Sequence, residues 1–268
     1  MNQLMLSDRE FGLFQKMIYE IAGISMSAAK KPLVSGRLAK RVKHHGLDSY
    51  SDYFGLLMKS GGDGELQTAI DLLTTNETYF FREPRHFEFM RDKVLPMRTP
   101  GRPFRVWSAA SSSGEEPYSL AMLMADVLGD APWELLGSDI SSRILERARS
   151  GLYPMERAED IPKHYLSRFC LKGIGSQHGK FLIDKTLRNR IRYLSVNLNE
   201  PLPKLGEFDV IFLRNVMIYF DMETKRRVIS RMVPMLASGG FLIIGHSESL
   251  NGVTDELKVV MPSIYRKP

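Results

Sequence analysis

Residues 104–119 read Phe104-Arg105-Val106-Trp107-Ser108-Ala109-Ala110-Ser111-Ser112-Ser113-Gly114-Glu115-Glu116-Pro117-Tyr118-Ser119. The apolar run at 104–109 is rich in residues that favour strands. Small residues follow. Pro117 then opens a helix to residue 128, in a first turn where a missing N–H goes unnoticed. Outward from this unit the alternation repeats. Strands are expected at 135–138, 191–196, 208–213 and 241–245, and helices at 143–150 and 223–236. Gly239-Gly240 is read as the stop of the last helix, and 257–260 with 264–266 as a closing pair. Strand alternating with helix predicts a parallel, doubly wound α/β sheet whose ligand sits beyond the carboxyl ends of the strands.

Residues from Pro162 to Arg190 interrupt the alternation with Lys172-Gly173-Ile174-Gly175-Ser176-Gln177-His178-Gly179-Lys180. A small hairpin insertion is expected there, at about residues 160–190. Upstream, residues 1–98 read as helical. Ser7 and Glu10 form a capping box ahead of Phe11, Phe14, Ile18 and Ile21, and Gly23 ends that helix. A second helix at 31–45 carries Leu33, Leu38 and Val42 on one side. Helices at 49–59 and 63–74 are separated by Ser60-Gly61-Gly62. The turn-rich link Thr99-Pro100-Gly101-Arg102-Pro103 divides a helical part, 1–98, from the sheet-bearing part, 99–268.

The 268 residues are ordinary in composition, 43% hydrophobic and 25% charged, which excludes disordered, collagenous and coiled-coil chains. One cysteine, Cys170, excludes an internal disulfide or a cysteine-rich zinc site and is read as a small buried apolar group. The N-terminus lacks the pattern of a secretory signal, and the longest apolar run, 208–220, is broken by Asp209, Arg214 and Asn215. A soluble protein of a reducing compartment is expected. Net charge is +6, and it is clustered: six bases and no acid between Lys30 and His45, eight bases and one acid between Lys163 and Arg192, with an acidic stretch from Gly46 to Phe81. Arg37, Lys40, Arg41 and His44 share one helix face. Such patches suit acidic partners or are simply solvated faces.

The polar strand ends carry the chemistry. They are Ser108 to Ser111, Asp139, Asn197 and Arg214-Asn215. A dinucleotide fingerprint would need glycines where Ala110, Ser112 and Ser113 stand. Glu115 and Glu116 at the helix start would repel a pyrophosphate and suit a ligand with hydroxyls and a cationic ammonium or sulfonium. That favours S-adenosylmethionine over a nicotinamide cofactor. The same carboxylates also complement the helix dipole. Asp139 is the expected acceptor for two ribose hydroxyls, or else the cap of the next helix. Ahead of the sheet, Asn76-Glu77-Thr78-Tyr79-Phe80-Phe81-Arg82 combines small polar groups, aromatics and an arginine able to grip a carboxylate.

Taken in order, NETYFFR, WSAASSSGEEPYS, SDI, VNL, LRNVMIYF and GHSE closely resemble the chemotaxis receptor methyltransferases, the CheR family, across residues 5–266. The resemblance implies an S-adenosylmethionine-dependent methyltransferase fold, a Rossmann-like doubly wound sheet, with an all-helical N-terminal domain and a small antiparallel β-subdomain. It implies a bacterial, cytoplasmic enzyme that methylates glutamates on chemoreceptor helices and releases S-adenosylhomocysteine. It places cofactor contacts on Asn76, Thr78, Arg82, Glu116, Asp139, Asn197, Leu198, Arg214 and Asn215, and puts Arg82 and Tyr219 beside the transferred methyl. Receptor docking would then fall to Arg37, Lys40, Arg41 and His44. Gly173, Gly175 and Gly179 lie in the subdomain that binds a receptor C-terminal pentapeptide in some family members.

Six histidines show no zinc spacing with a third ligand, so no metal is expected. No nucleic-acid partner and no membrane insertion are expected either. The rival readings are an S-adenosylmethionine enzyme acting on RNA or a small molecule, a non-catalytic cofactor sensor, and a nicotinamide oxidoreductase disfavoured by its missing glycines.

Overall fold

The computed structural model describes residues 4–59 and 64–268, so the Ser60-Gly61-Gly62 break lies outside the described residues. Two compact units emerge. One holds the chain up to Thr75 together with Tyr219–Lys225; the other holds Asn76–Ile218 and Arg226–Pro268. The division falls ahead of residue 98. The reason is apolar burial: Phe80, Phe87, Met90, Val94 and Leu95 pack into the core of the second unit.

The first unit is built from α1 (Asp8–Ala22), α2 (Lys31–His44), α3 (Tyr50–Lys59) and α4 (Glu65–Leu73). Ser7 caps α1 through the expected box with Glu10, and Gly23 closes it in the left-handed region at φ 70°. Phe14, Ile18, Leu38, Tyr50 and Tyr53 are fully buried. Phe14 meets the edge of Tyr50 at 6.4 Å, a geometry the ring quadrupoles favour. On α2 the buried positions are Val34, Leu38 and Val42. Leu33 is instead exposed, because 34, 38 and 42 keep the i, i+4, i+8 spacing that holds one face inward.

The second unit runs α5 (Pro84–Phe89), β1 (Phe104–Ser108), α6 (Glu115–Leu128), β2 (Trp133–Asp139), α7 (Ser142–Ser150), β3 (Leu152–Pro154), α8 (Lys163–Phe169), β4 (Cys170–Lys172), β5 (Lys180–Ile183), α9 (Lys185–Arg188), β6 (Ile191–Ser195), β7 (Phe208–Leu213), α10 (Met222–Met232), β8 (Leu236–Ile244), β9 (Lys258–Met261) and β10 (Ile264–Arg266). The main sheet has the order β6-β2-β1-β7-β8-β10-β9. From β6 through β8 neighbours are parallel; β10 is antiparallel to both β8 and β9. Val106 and Trp107 are consecutive and both fully buried, as befits a strand covered on both faces. Each such side chain adds roughly 1.5–3 kcal/mol of burial.

Two expectations change. The small antiparallel sheet, β3-β5-β4, reaches back to Leu152, earlier than residue 160. Tyr153 draws that segment in, stacking on Phe181 at 5.6 Å and donating its hydroxyl to the Ser113 carbonyl. Gly239-Gly240 does not stop a helix but lies inside β8, where the register against β7 shifts. A Cβ on Gly240 would sit 2.8 Å from the Ala237 carbonyl and crowd the β7 backbone. These two glycines therefore permit the bulge and the close strand approach.

A candidate cofactor site at the carboxyl ends of the strands

The loop after β1 is held in place by its own backbone. Ser111 N–H donates to the Ser138 carbonyl at 2.7 Å. Ser112 takes the left-handed conformation, φ 47°, and its N–H donates to Asp139 Oδ2 at 3.0 Å. Only glycine fits position 114: φ is 97°, and a Cβ there would come within 2.8 Å of the Tyr153 hydroxyl and 2.9 Å of Ala148 Cβ. The small residues thus let the turn close against its neighbours.

The two adjacent glutamates have separate tasks. Glu115 is 1% exposed and accepts from the Ser113 hydroxyl at 2.6 Å. Burial pushes its carboxyl up, opposed mainly by that Ser113 bond. It braces the loop. Glu116 faces across the strand ends. Its Oε1 accepts from Ser108 Oγ at 2.7 Å, and its Oε2 accepts from Arg214 Nη1 at 2.7 Å. Arg214, at the end of β7, also reaches Glu83 Oε2 at 3.1 Å and donates to the Arg82 carbonyl. Burial pushes the Glu83 carboxyl up, but Arg214 and Asn215 outweigh it and hold it below the ordinary carboxylate range.

Asp139, at the end of β2, is buried; its second oxygen accepts from Ser141 N–H at 3.0 Å. Asn197 follows β6, where its side-chain carbonyl accepts from Asn199 N–H at 3.0 Å, and Leu198 beside it is buried. The Asn76 carbonyl accepts from Ser112 Oγ, and the Thr78 carbonyl from Arg157. Arg82 is half-buried, donating to the Glu77 carbonyl at 3.0 Å with its guanidinium 5.6 Å from the Tyr79 ring. The segment is tied to α6 through Ser119, whose hydroxyl accepts from Phe81 N–H and donates to the Glu115 carbonyl. The second unit therefore brings Asn76, Arg82, Glu116, Asp139, Arg214 and Asn215 onto linked elements at the strand ends.

Two further acids, not singled out from the sequence, join this network. Glu83 follows Arg82 directly in a left-handed turn, φ 59°. Glu248, in Gly245-His246-Ser247-Glu248, accepts from the N–H groups of Asn215 (3.0 Å), Gly245 (2.7 Å) and Ile218 (3.2 Å). Burial raises its pKa and these backbone donors oppose the rise. It fixes the turn that carries Asn215, itself at φ 56°. The acid within the GHSE motif was the available signal.

Tyr219 belongs to the first unit, where its carbonyl accepts from Ser25 N–H at 2.8 Å and neighbouring Phe220 bridges Ile24. On α2, Arg37 is committed to the Leu73 and Thr74 carbonyls at 3.1 and 3.0 Å. Arg41 grips Glu65 with bonds of 2.9 and 2.5 Å, and Tyr53 donates to the same carboxylate at 2.6 Å. Burial would raise the Glu65 pKa, but the Arg41, Tyr53 and His45 bonds win and hold it at about 2. Lys40, Lys43 and His44 are exposed. In the small sheet, Gly173 admits no side chain, since a Cβ would lie 2.1 Å from the Gln177 carbonyl. Gly175 and Gly179 occupy the rest of that β4–β5 connection. Cys170 is half-buried, and burial pushes its thiol up to about 12, so it is not a nucleophile at neutral pH.

S-adenosylmethionine is the group this arrangement fits. Glu116 uses one lone pair on each oxygen and keeps acceptor capacity for an ammonium or hydroxyl. Ser111 Oγ is buried without a hydrogen-bond partner, as expected of a group awaiting a ligand. Among the described residues no helix is long and apolar enough to cross a membrane.

The comparisons agree with this geometry. Residues 9–74 match the family model for the CheR methyltransferase all-alpha domain, and residues 76–265 that for the CheR methyltransferase SAM binding domain. The chain is 40% identical to a chemotaxis protein methyltransferase of Salmonella typhimurium, covering 98% of this chain and 91% of that protein. It is 41% identical to one of Escherichia coli, over 98% and 92%, and 39% identical to a chemotaxis protein methyltransferase 2 of Pseudomonas aeruginosa, over 96% and 92%. A helical domain, a doubly wound sheet with polar strand ends, and near-complete coverage of these relatives lead to one conclusion: the chain belongs to the CheR family of S-adenosylmethionine-dependent chemotaxis methyltransferases.

Proposed function

We propose that this enzyme works in the bacterial cytoplasm and methylates glutamate side chains on the helices of chemoreceptors, giving γ-glutamyl methyl esters. The observation that carries the reading is that both CheR family models match this chain, over residues 9–74 and 76–265, while it aligns with chemotaxis methyltransferases over nearly their whole length. A glutamate is already ionised at neutral pH, its reference pKa being near 4.3, so no general base is required. Bound cofactor supplies an electrophilic methyl on a sulfonium. The protein's task is alignment and partial removal of water from the attacking carboxylate. Asp139 takes ribose hydroxyls, Glu116 and Asn215 the polar end of the cofactor, and Asn76, Thr78, Asn197 and Leu198 the remaining contacts. Arg214 keeps Glu116 placed. Arg82 positions a carboxylate, and Tyr219 orients through its hydroxyl.

Receptor recognition is assigned to two places. On α2, exposed Lys40 and His44, with Lys43, steer an acidic helical partner, while Arg37 and Arg41 hold the helix that presents them. In the small sheet, β4 is an edge with Leu171 and Ile174 exposed. A receptor C-terminal pentapeptide would add there as a strand beside the Gly173, Gly175 and Gly179 connection. The test is transfer of radiolabelled methyl to receptor-rich membranes followed by mild alkali. Label released as methanol supports a carboxyl ester. Base-stable label would overturn the glutamate assignment and favour N- or C-methylation.

A further inference from the structure

Glu83, His86 and His246 meet beside Arg214, although 160 residues separate the first pair from the last. One ligand atom from each lies within 4.8 Å of the others. His86 Nδ1 is 3.4 Å from Glu83 Oε2, and His246 Nε2 is 3.9 Å from the same oxygen. Tetrahedral zinc with bonds of about 2.0–2.2 Å needs ligand separations of roughly 3.4 Å. His86 already stands at that spacing from Glu83, and His246 is the ligand that must draw closer, a movement its half-exposed side chain allows.

The protonation pattern points the same way. Ser263 Oγ lies 2.6 Å from the Pro262 carbonyl, to which it can donate, and 2.7 Å from His86 Nε2, from which it can accept. With the hydroxyl used in that way, the ring proton sits on Nε2 and Nδ1 is a bare lone pair. His86 is 1% exposed, and Nδ1 has no hydrogen-bond partner. A buried acceptor facing a carboxylate is unfavourable unless a cation lies between them. A second-shell acceptor on the other ring nitrogen is the usual device that fixes a metal-binding histidine in this tautomer.

We propose that Glu83, His86 and His246 form a site for a zinc-class divalent ion, with water completing the coordination from the open side of His246. Two imidazoles and one carboxylate select zinc or its late transition-metal neighbours over magnesium or calcium. The site stands without reference to methyl transfer. Its coupling to the cofactor rests on the reading of Arg214 and Asn215 given above. Glu83 Oε1 accepts from Asn215 Nδ2 at 3.2 Å, and Oε2 pairs with Arg214. Metal on Oε2 takes that oxygen from Arg214, so zinc and cofactor oppose one another, and each lowers the other's affinity by the same factor.

The experiment is titration of the tag-free, chelator-treated protein with zinc against a chromophoric chelator, with S-adenosylhomocysteine affinity measured by calorimetry at each zinc level. One zinc per chain is expected, weakened about tenfold or more by His246→Ala and retained by His246→Cys, whose thiolate is also a zinc ligand. Absence of stoichiometric binding, or binding indifferent to His246→Ala, overturns the site. Zinc binding that leaves S-adenosylhomocysteine affinity unchanged overturns the coupling. Failure of the metal-free protein to bind S-adenosylhomocysteine at all would count against the cofactor-site reading instead.

Discussion

Arg214 and Glu116 stand 98 residues apart in the chain and 2.7 Å apart in space. The pair joins the end of β7 to the first turn of α6, and both side chains are nearly excluded from solvent. A buried guanidinium without its carboxylates would be strongly destabilising, by roughly 3–5 kcal/mol. Here Glu116 and Glu83 share that role, which keeps the strand ends in register with one another.

Glu116→Gln preserves shape and removes the charge. Because Glu83 still faces Arg214, the expected loss of stability is about 2 kcal/mol, below the full cost of an orphaned charge. S-adenosylhomocysteine affinity should fall about tenfold or more. Chemical denaturation and calorimetry on the same preparation check both, and unchanged affinity would remove Glu116 from the cofactor site.

Asp139→Ala should act on cofactor binding before anything else. It removes the acceptor for two hydroxyls and releases the Ser112 and Ser141 N–H groups. Each lost bond to a charged acceptor is worth about 1.5–3 kcal/mol. The dissociation constant should rise by an order of magnitude or more, while receptor binding by cofactor-free protein is retained.

Tyr219→Phe keeps the ring and deletes the hydroxyl. Single-turnover methylation should slow by roughly tenfold or more, with cofactor affinity unaltered. A rate equal to that of the parent enzyme would leave the tyrosine with packing alone.

Lys40→Glu with Lys43→Glu reverses the exposed charge of α2. Receptor methylation should become slower through association, most clearly at low salt, while cofactor affinity stays constant. The same reversal at Arg37 and Arg41 would be uninformative, since both brace the helical unit from within.

Arg41→Ala should cost about 3 kcal/mol, because Glu65 would be left buried with only Tyr53 and His45. The parent protein should show the corresponding pH dependence. Glu65 titrates near 2 in the fold against an ordinary 4.5. Its depressed pKa contributes stability that is complete above about 4.5 and is lost as pH falls from there towards 2. Denaturation midpoints across that window should drop less steeply in Glu65→Gln than in the parent protein, and parallel curves would exclude the pair as the source.

The alternation of short apolar strands with helices, the capping box at Ser7 and Glu10, the carboxylate Glu116 at a helix start, and the polar strand ends at Asp139 and Arg214-Asn215 were all legible along the chain. They depend on neighbours a few residues away, on periodicity, and on where a strand stops. Other features required the fold. Leu33 and Val34 are adjacent and equally apolar, and only packing chose Val34. Gly239-Gly240 carries the composition of a helix stop, but the close approach of β7 makes it a bulge. Arg37 and Arg41 look like a free basic face until α4 supplies Glu65 and the carbonyls beyond it. Glu83, His86, Glu248 and His246 acquire their meaning only when the end of β8 comes to rest against the start of α5. Local pattern determined which elements form and which of their ends are polar. The long-range contacts decided which charges are spent inside the protein and which remain for a partner, because pairing energy depends on distances that the linear order of residues does not contain.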